Sequence, residues 1–188
     1  MIKIGLTGSI SSGKTTASKI ISKRRGPLFS ADNVVKKLYN KKNFKKVVAK
    51  KLKIKSRSDF KRTIKNIIFK KKGTLKKLEK IIHPMVRKEM LVFLKKNKNK
   101  KFLFLEIPLL IESRLSKYFD VIIFIKSKKN LRLKRFRLKK RNIKLFSLLD
   151  SHQLKDTKKM KLCDHIVVNN KSLTILKKNL LNIIKLYE

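Results

Sequence analysis

The chain is 188 residues long and sets 54 lysines and arginines against 11 aspartates and glutamates, a formal charge of +43. That length supports one substantial core with an inserted lobe or two. No apolar stretch approaches the roughly 20 residues needed to cross a bilayer, so no membrane partner is expected.

The first apolar run, Ile2–Leu6, suits a short buried parallel strand. It leads into Gly8-Ser-Ile-Ser-Ser-Gly13-Lys14-Thr15, which fits G-x-x-x-x-G-K-[ST]. Thr16–Lys23 follows as a helix. Strand, loop and helix in that order form the context in which the motif cradles phosphate on backbone N–H groups. Lys14 then reaches the outer phosphates, and the Thr15 hydroxyl is a candidate ligand for Mg²⁺. The helix N-terminus adds partial positive charge at the same spot.

Pro27–Phe29 reads as a second strand, and Asp32 follows it. Ligands in an open parallel sheet bind at the carboxyl ends of strands. Asp32 is therefore a candidate to accept a hydroxyl proton or to hold Mg²⁺ through water. The alternative is a cap for a helix over Asn33–Tyr39, a role compatible with the first. Residues 40–99 show helical patterning only. Within them Leu75–Leu94 carries a long apolar stripe, which Pro84 is expected to break or kink. Phe102–Leu105 is a third strand and ends at Glu106, a carboxylate that Mg²⁺ or Lys14 would relieve of its burial cost. Val121–Ile125 and Ile166–Val168 complete five strands, and Leu173–Tyr187 closes the chain as an amphipathic helix. Between the last two strands, Arg132, Arg135, Arg137 and Arg141 crowd one segment. Arginine suits phosphate clamping, although a solvated basic face is the plainer reading for any one of them.

The remaining features set the background. Cys163 stands alone, which excludes an internal disulfide and fits a reducing cytoplasm. Residue 3 onward already reads as strand and loop, so no secretory leader is expected. His83, His152 and His165 are too scattered for a structural zinc. The charge could mark a nucleic-acid binder. However, alanine occurs only at positions 17, 31 and 49, tryptophan is absent, and the lysines are spread evenly. Compositional bias accounts for that better. Weak, salt-sensitive association with nucleic acid is expected as a side effect, with no specific nucleic-acid partner.

Taken together, these residues resemble the dephospho-CoA kinase family over nearly the whole chain. Ile4-Gly-Leu-Thr-Gly8 through Thr15 looks like its opening loop, and Ala31-Asp32 like the second part of its D-x-D segment. Leu78-Glu-Lys-Ile-Ile-His83-Pro84-Met-Val-Arg87 matches L-x-x-x-x-H-P-x-V-R, and Pro108-Leu-Leu-Ile-Glu112 matches P-L-L-x-E. Leu131-Arg132-Leu-Lys-Arg135, with Arg141 beyond, follows its lid. Gln153 and Cys163-Asp164-His-Ile-Val-Val-Asn169 resemble its closing pattern. The resemblance implies an α/β P-loop fold: a parallel five-stranded sheet flanked by helices, with a helical substrate lobe and an Arg-rich lid. It implies a single domain over 1–188, with a core of 1–39, 100–125 and 157–188, an acceptor lobe of about 40–99 and a lid of about 126–156. ATP would bind through Gly8, Ser11, Ser12, Gly13, Lys14, Thr15 and Thr16, with Mg²⁺ on Thr15 and Glu106. Lys14, Asp32 and Arg141 would carry catalysis. Asp32, Lys61, His83, Arg87 and Glu112 would shape the site for dephospho-CoA. The protein would be a monomer or a weak homo-oligomer.

Some positions depart from the family pattern. Ser9 and Ser11 stand where it has glycines, and a serine forced to positive φ costs about 1 kcal/mol. Ser30 replaces the first Asp of D-x-D, and Lys61, beside Arg62, replaces an arginine ahead of a helix at Ile64–Phe69. Val168 and Lys171 replace an Asp or Gly near the end. Two rival functions follow from the same motifs: another P-loop kinase with a nucleoside, nucleotide or shikimate-like acceptor, or an ATP-responsive nucleic-acid-binding protein.

Overall fold

The computed structural model of the chain describes residues 1–54, 59–140 and 142–188. In chain order its elements are β1 (Ile2–Gly8), α1 (Lys14–Ser22), β2 (Leu28–Ser30), α2 (Ala31–Leu38), α3 (Lys42–Leu52), α4 (Phe60–Lys70), α5 (Thr74–Lys96), β3 (Phe102–Glu106), β4 (Val121–Lys126), α6 (Lys129–Leu138), α7 (Ile143–His152), α8 (Asp156–Met160), β5 (His165–Val168) and α9 (Leu173–Lys185). They fall into two compact units, one of residues 1–30 and 96–188 and one of residues 31–95.

The first unit is built on a five-stranded sheet in the order β2-β3-β1-β4-β5, parallel throughout. Its central strands β1, β3 and β4 read as nearly continuous apolar runs because both their faces are covered, whereas the edge strand β5 exposes Ile166 and Val168. Every residue of β3 is buried, as are the first five of β4. On one face, Ile4, Leu6, Phe104, Ile123 and Ile125 pack with Ala17 and Ile21 of α1 and with Leu176, Leu180 and Ile184 of α9. The chain leaves β1 toward β2 and β3 on one side and returns to β4 and β5 on the other. The order therefore reverses at the carboxyl end of β1, where such sheets open a ligand crevice.

All five predicted strands are present, with shifted ends. β2 starts at Leu28 rather than Pro27, because proline has no N–H for the ladder. The Pro27 carbonyl still accepts from the Phe104 amide at 3.1 Å.

Among the described residues, every regular element of the second unit is a helix. Its buried side chains include Leu38, Phe44, Val48, Ile64, Leu78, Val86 and Met90. Tyr39 meets Phe44 edge-on at 5.2 Å and Phe60 at 6.3 Å. The expected break at Pro84 does not occur, and α5 runs through it without interruption. Proline removes one intrahelical hydrogen bond, and Leu78 on one side of it and Val86 and Met90 on the other are all buried along the same helix. Asp32 is not a cap, because α2 already begins at Ala31. It lies in the first turn, where a carboxylate complements the positive end of the helix dipole.

Leu180, fully buried against the sheet, and Leu173, 60% exposed on the same helix, provide a test of this packing. In urea unfolding, Leu180→Ala should cost about 2–5 kcal/mol, whereas Leu173→Ala should stay within about 0.5 kcal/mol of wild type.

Candidate active site

The site begins where β1 turns into α1. Gly8 has φ +145, and a β-carbon there would sit 2.5 Å from the Ile125 carbonyl of β4. Gly13 has φ +102, and its β-carbon would lie 2.2 Å from the Asn169 amide nitrogen. The two glycines frame a turn that only they can close. Inside it, the two serines that replace family glycines behave differently. Ser11 is held at φ +57, the left-handed region, and carries the strain expected from sequence. Ser9 does not have positive φ. Its side chain is buried and its hydroxyl donates to Asp156 Oδ1.

Lys14 is only 7% exposed. Its ammonium donates to the Gly8 carbonyl at 2.9 Å and the Ser9 carbonyl at 2.8 Å, so it curls back over the turn. Gly13 precedes α1 without a side-chain cap, and no acid lies in the first turn. Thr15 and Thr16 are exposed there. An uncapped, positively polarised helix end suits an anion such as phosphate. Ser12 adds a buried hydroxyl with no hydrogen-bond partner, an orphaned group of the kind a bound anion satisfies.

Thr15 and Glu106, both expected at the metal, are adjacent. Thr15 Oγ1 donates to Glu106 Oε1 at 2.5 Å, and Ser30 Oγ donates to Glu106 Oε2 at 3.2 Å. β3 places Glu106 opposite Leu6 on β1 and Ser30 on β2, so sheet register sets Ser30 beside Glu106, and the start of α1 brings Thr15 to it. Glu106 is 1% exposed, and these hydroxyls repay its desolvation. One carboxylate and two hydroxyls are hard oxygen donors. Mg²⁺ is commonly held by one or two carboxylates together with substrate phosphates, so the donor set fits that ion.

In the segment after β4, Arg132 and Arg135 reach the turn, contrary to the plain reading of each as part of a solvated face. Arg132 is 6% exposed. It pairs with Asp150 at 2.5 Å and reaches the Ile10 carbonyl at 3.5 Å. Arg135 donates to the Ser12 carbonyl, the Ser127 hydroxyl and the Asn169 carbonyl at 3.3, 3.1 and 3.0 Å. Gln153 Oε1 accepts from the Ile10 amide at 3.2 Å. Arg137 is exposed, and Arg141 lies outside the described residues.

Glu112 is engaged rather than open. Its Oε1 accepts from the fully buried Lys159 at 3.2 Å and from the Leu154 amide at 3.2 Å. Next to this pair, the Cys163 thiol donates to the Lys159 carbonyl at 3.2 Å. Burial, followed by the charge of Asp164, pushes its pKa up to about 11. Sequence reading gave no role to Asp156, Arg135 or Asn169 in shaping the turn. The scarcity of acids was the available signal, since Asp150 and Asp156 both belong to the few.

The remaining candidates belong to the helical unit. Asp32 is exposed on the first turn of α2. Lys61 lies within α4, which starts earlier than expected, with its ammonium 5.8 Å from the Tyr39 ring centre. His83 and Arg87 are one turn apart on α5 and share a face. With Pro84, Lys88, Leu91 and Val92 they line an open cleft of about 420 Å³.

Comparison with known proteins agrees with this architecture. A family model described as CoaE, dephospho-CoA kinase, matches residues 2–174. A dephospho-CoA kinase from Rickettsia typhi is 31% identical over 190 residues, covering 98% of this chain and 97% of the relative. The solved structure of a dephospho-CoA kinase from Campylobacter jejuni superposes with a TM-score of 0.67 at 26% identity, covering 97% of this chain and 95% of that one. A shikimate kinase from Acinetobacter baumannii shares the fold at a TM-score of 0.57 and 16% identity, over 99% of this chain and 92% of that one.

Two outcomes follow from the local geometry. Ser11→Gly should raise stability by about 1 kcal/mol by relieving the left-handed serine, while Ser9→Gly should lose the Asp156 contact and lower it, both read in urea. The folded Cys163 thiol holds its proton more tightly than an unfolded one, so its contribution to stability is complete below pH 9 and declines as pH rises from 9.0 toward about 11. Alkylation by iodoacetamide at pH 8 should be at least about tenfold slower than for free cysteine.

Proposed function

The chain belongs to the dephospho-CoA kinase family, and we propose that it makes coenzyme A by moving the γ-phosphoryl of ATP to the ribose 3′-hydroxyl of dephospho-CoA. ATP-dependent phosphorylation of dephospho-CoA is the reaction of this family, and it places the chain in coenzyme A biosynthesis. The observation that carries the reading is the strand-turn-helix at Gly8–Thr16, with Lys14 folded over it and Thr15 against Glu106.

The residues divide the work as follows. The turn and the α1 N-terminus bind the ATP phosphates through Gly8, Ser11, Ser12, Gly13, Lys14, Thr15 and Thr16. Lys14, held over the turn by the Gly8 and Ser9 carbonyls, brings its positive charge to the phosphate oxygens. Thr15 and Glu106 would hold Mg²⁺, which supplies charge neutralisation on the phosphates when bound. Asp32 orients the acceptor hydroxyl and takes its proton. Arg141 meets the transferring phosphoryl group from the lid, where its positive charge is worth most in the transition state. Lys61, His83 and Arg87 contact dephospho-CoA, and Glu112, fixed by Lys159, shapes the acceptor side. Transfer through a loose transition state is mostly positioning and charge neutralisation, so these groups have little covalent chemistry to perform. The protein works in the cytoplasm as a monomer or weak homo-oligomer, and its excess charge gives only weak, salt-sensitive contact with nucleic acid.

ATP consumption should depend on dephospho-CoA, and the product mass should show one added phosphate. Consumption at the same rate without the acceptor, or only with a nucleoside or shikimate, overturns the assignment. Lys14→Ala should lower turnover by about 100-fold or more. Asp32→Asn should reduce kcat while ATP binding stays near wild type, and unchanged turnover would remove Asp32 from the base role. Arg141→Ala should reduce turnover more than stability.

A further inference from the structure

The reaction uses the N–H groups of the turn, and their aim depends on where the intervening carbonyls point. Every peptide bond described is trans. In a trans peptide, the carbonyl of one residue and the N–H of the next point in opposite directions. Fixing the Ser12 carbonyl therefore fixes the Gly13 N–H on the other side.

Two side chains hold that carbonyl. Asn169 Nδ2 donates to it at 2.8 Å, and Arg135 Nη1 donates at 3.3 Å. Asn169 is itself 7% exposed and tied at three further points. Its amide donates to the Lys126 carbonyl at 2.7 Å, and its own carbonyl accepts from Ser127 Oγ and Arg135 Nη2, both at 3.0 Å. The anchor is therefore a rigid hub at the ends of β4 and β5. It packs so closely on Gly13 that no β-carbon fits between them. Gly13, at φ +102, has the conformational freedom that would let its peptide flip if the carbonyl were released.

We infer that Arg135 and Asn169 are positioning residues for phosphate binding: they pull the Ser12 carbonyl outward so that the Gly13 N–H faces the phosphates. The inference rests on the turn being the nucleotide site. Arg135 then acts from behind the turn, through a peptide, rather than on the phosphoryl group. This differs from the phosphate-clamp role that an arginine in the lid segment would suggest.

The chain has five glycines, and Ser12-Gly13 is its only Ser-Gly step. Labelling serine with ¹³C at the carbonyl and glycine with ¹⁵N isolates the Gly13 amide as one cross-peak in a carbonyl-filtered spectrum. The other glycine amides, in the unfiltered spectrum, report whether each variant is folded. In wild type, ADP should move the Gly13 amide proton downfield, and no movement there would sink the nucleotide site itself. Asn169→Ala and Arg135→Lys should each weaken ADP binding about tenfold, the effect of one buried hydrogen bond. At saturating ADP each should lose at least about half of the Gly13 displacement, because that amide no longer aims at the anion. The double variant should bind within about threefold of the weaker single, since both residues act on one carbonyl. A full wild-type displacement in Asn169→Ala overturns the inference. So does Arg135→Lys losing affinity while Gly13 responds normally, which would put the guanidinium on the phosphate. If Asn169→Ala proves unfolded, Arg135→Lys, which keeps the charge but cannot span three acceptors, decides between these outcomes.

Discussion

A phosphate-binding turn must point its amide hydrogens inward, and a peptide cannot do that unless its carbonyls have somewhere else to go. This constraint organises much of the first unit. The carbonyls of Gly8 and Ser9 go to Lys14, and that of Ser12 goes to Asn169 and Arg135. Carbonyls left bare inside a protein would cost about as much as lost hydrogen bonds. The polar hub between β4 and β5 thus satisfies buried groups and sets their direction together. A hub of this kind is worth its desolvation only when each member is satisfied, and Asn169 uses its amide, its carbonyl and its side chain at once.

The same economy appears in the distribution of charge. With few acids in a strongly basic chain, a carboxylate is a scarce resource, and four of those in the first unit sit at joints. Asp150 neutralises Arg132, Asp156 holds the Ser9 hydroxyl, Glu112 receives the buried Lys159, and Glu106 is held by Thr15 and Ser30. Breaking a buried pair on one side leaves an uncompensated charge, which costs far more than an exposed pair is worth. Most of the surplus lysines face solvent, where they affect association and solubility rather than the fold. A heavy compositional bias can therefore lie over an ordinary α/β core without disturbing it.

The serines that replace glycines in the turn show how local substitutions are absorbed. At position 9 the added hydroxyl finds a carboxylate, so the replacement brings its own partner. At position 11 the backbone requires a left-handed residue, and serine takes it under strain. Ser30 illustrates a third case. A hydroxyl beside Glu106 can donate to it, whereas a second carboxylate there would repel it until a cation arrived.

The five strands, the long helical insert and the turn with its lysine were all legible from apolar runs and motif spacing, because those signals are local. Short-range reading failed where long-range packing intervened. Pro84 was expected to break or kink its helix but lies within an unbroken one with buried residues on either side, and the alternative reading of Asp32 as a cap gives way to a place inside the first turn. Arg132 and Arg135 read as surface charge because their acceptors, the Ile10 and Ser12 carbonyls, lie more than a hundred residues away. Which residues suit phosphate can be read from a short stretch of chain, since backbone turn chemistry and a lysine at fixed spacing are local properties. Which way that stretch faces is settled by the folded chain, because a peptide's direction is set by whatever holds its carbonyl, and the holders arrive from strands and helices far along the sequence.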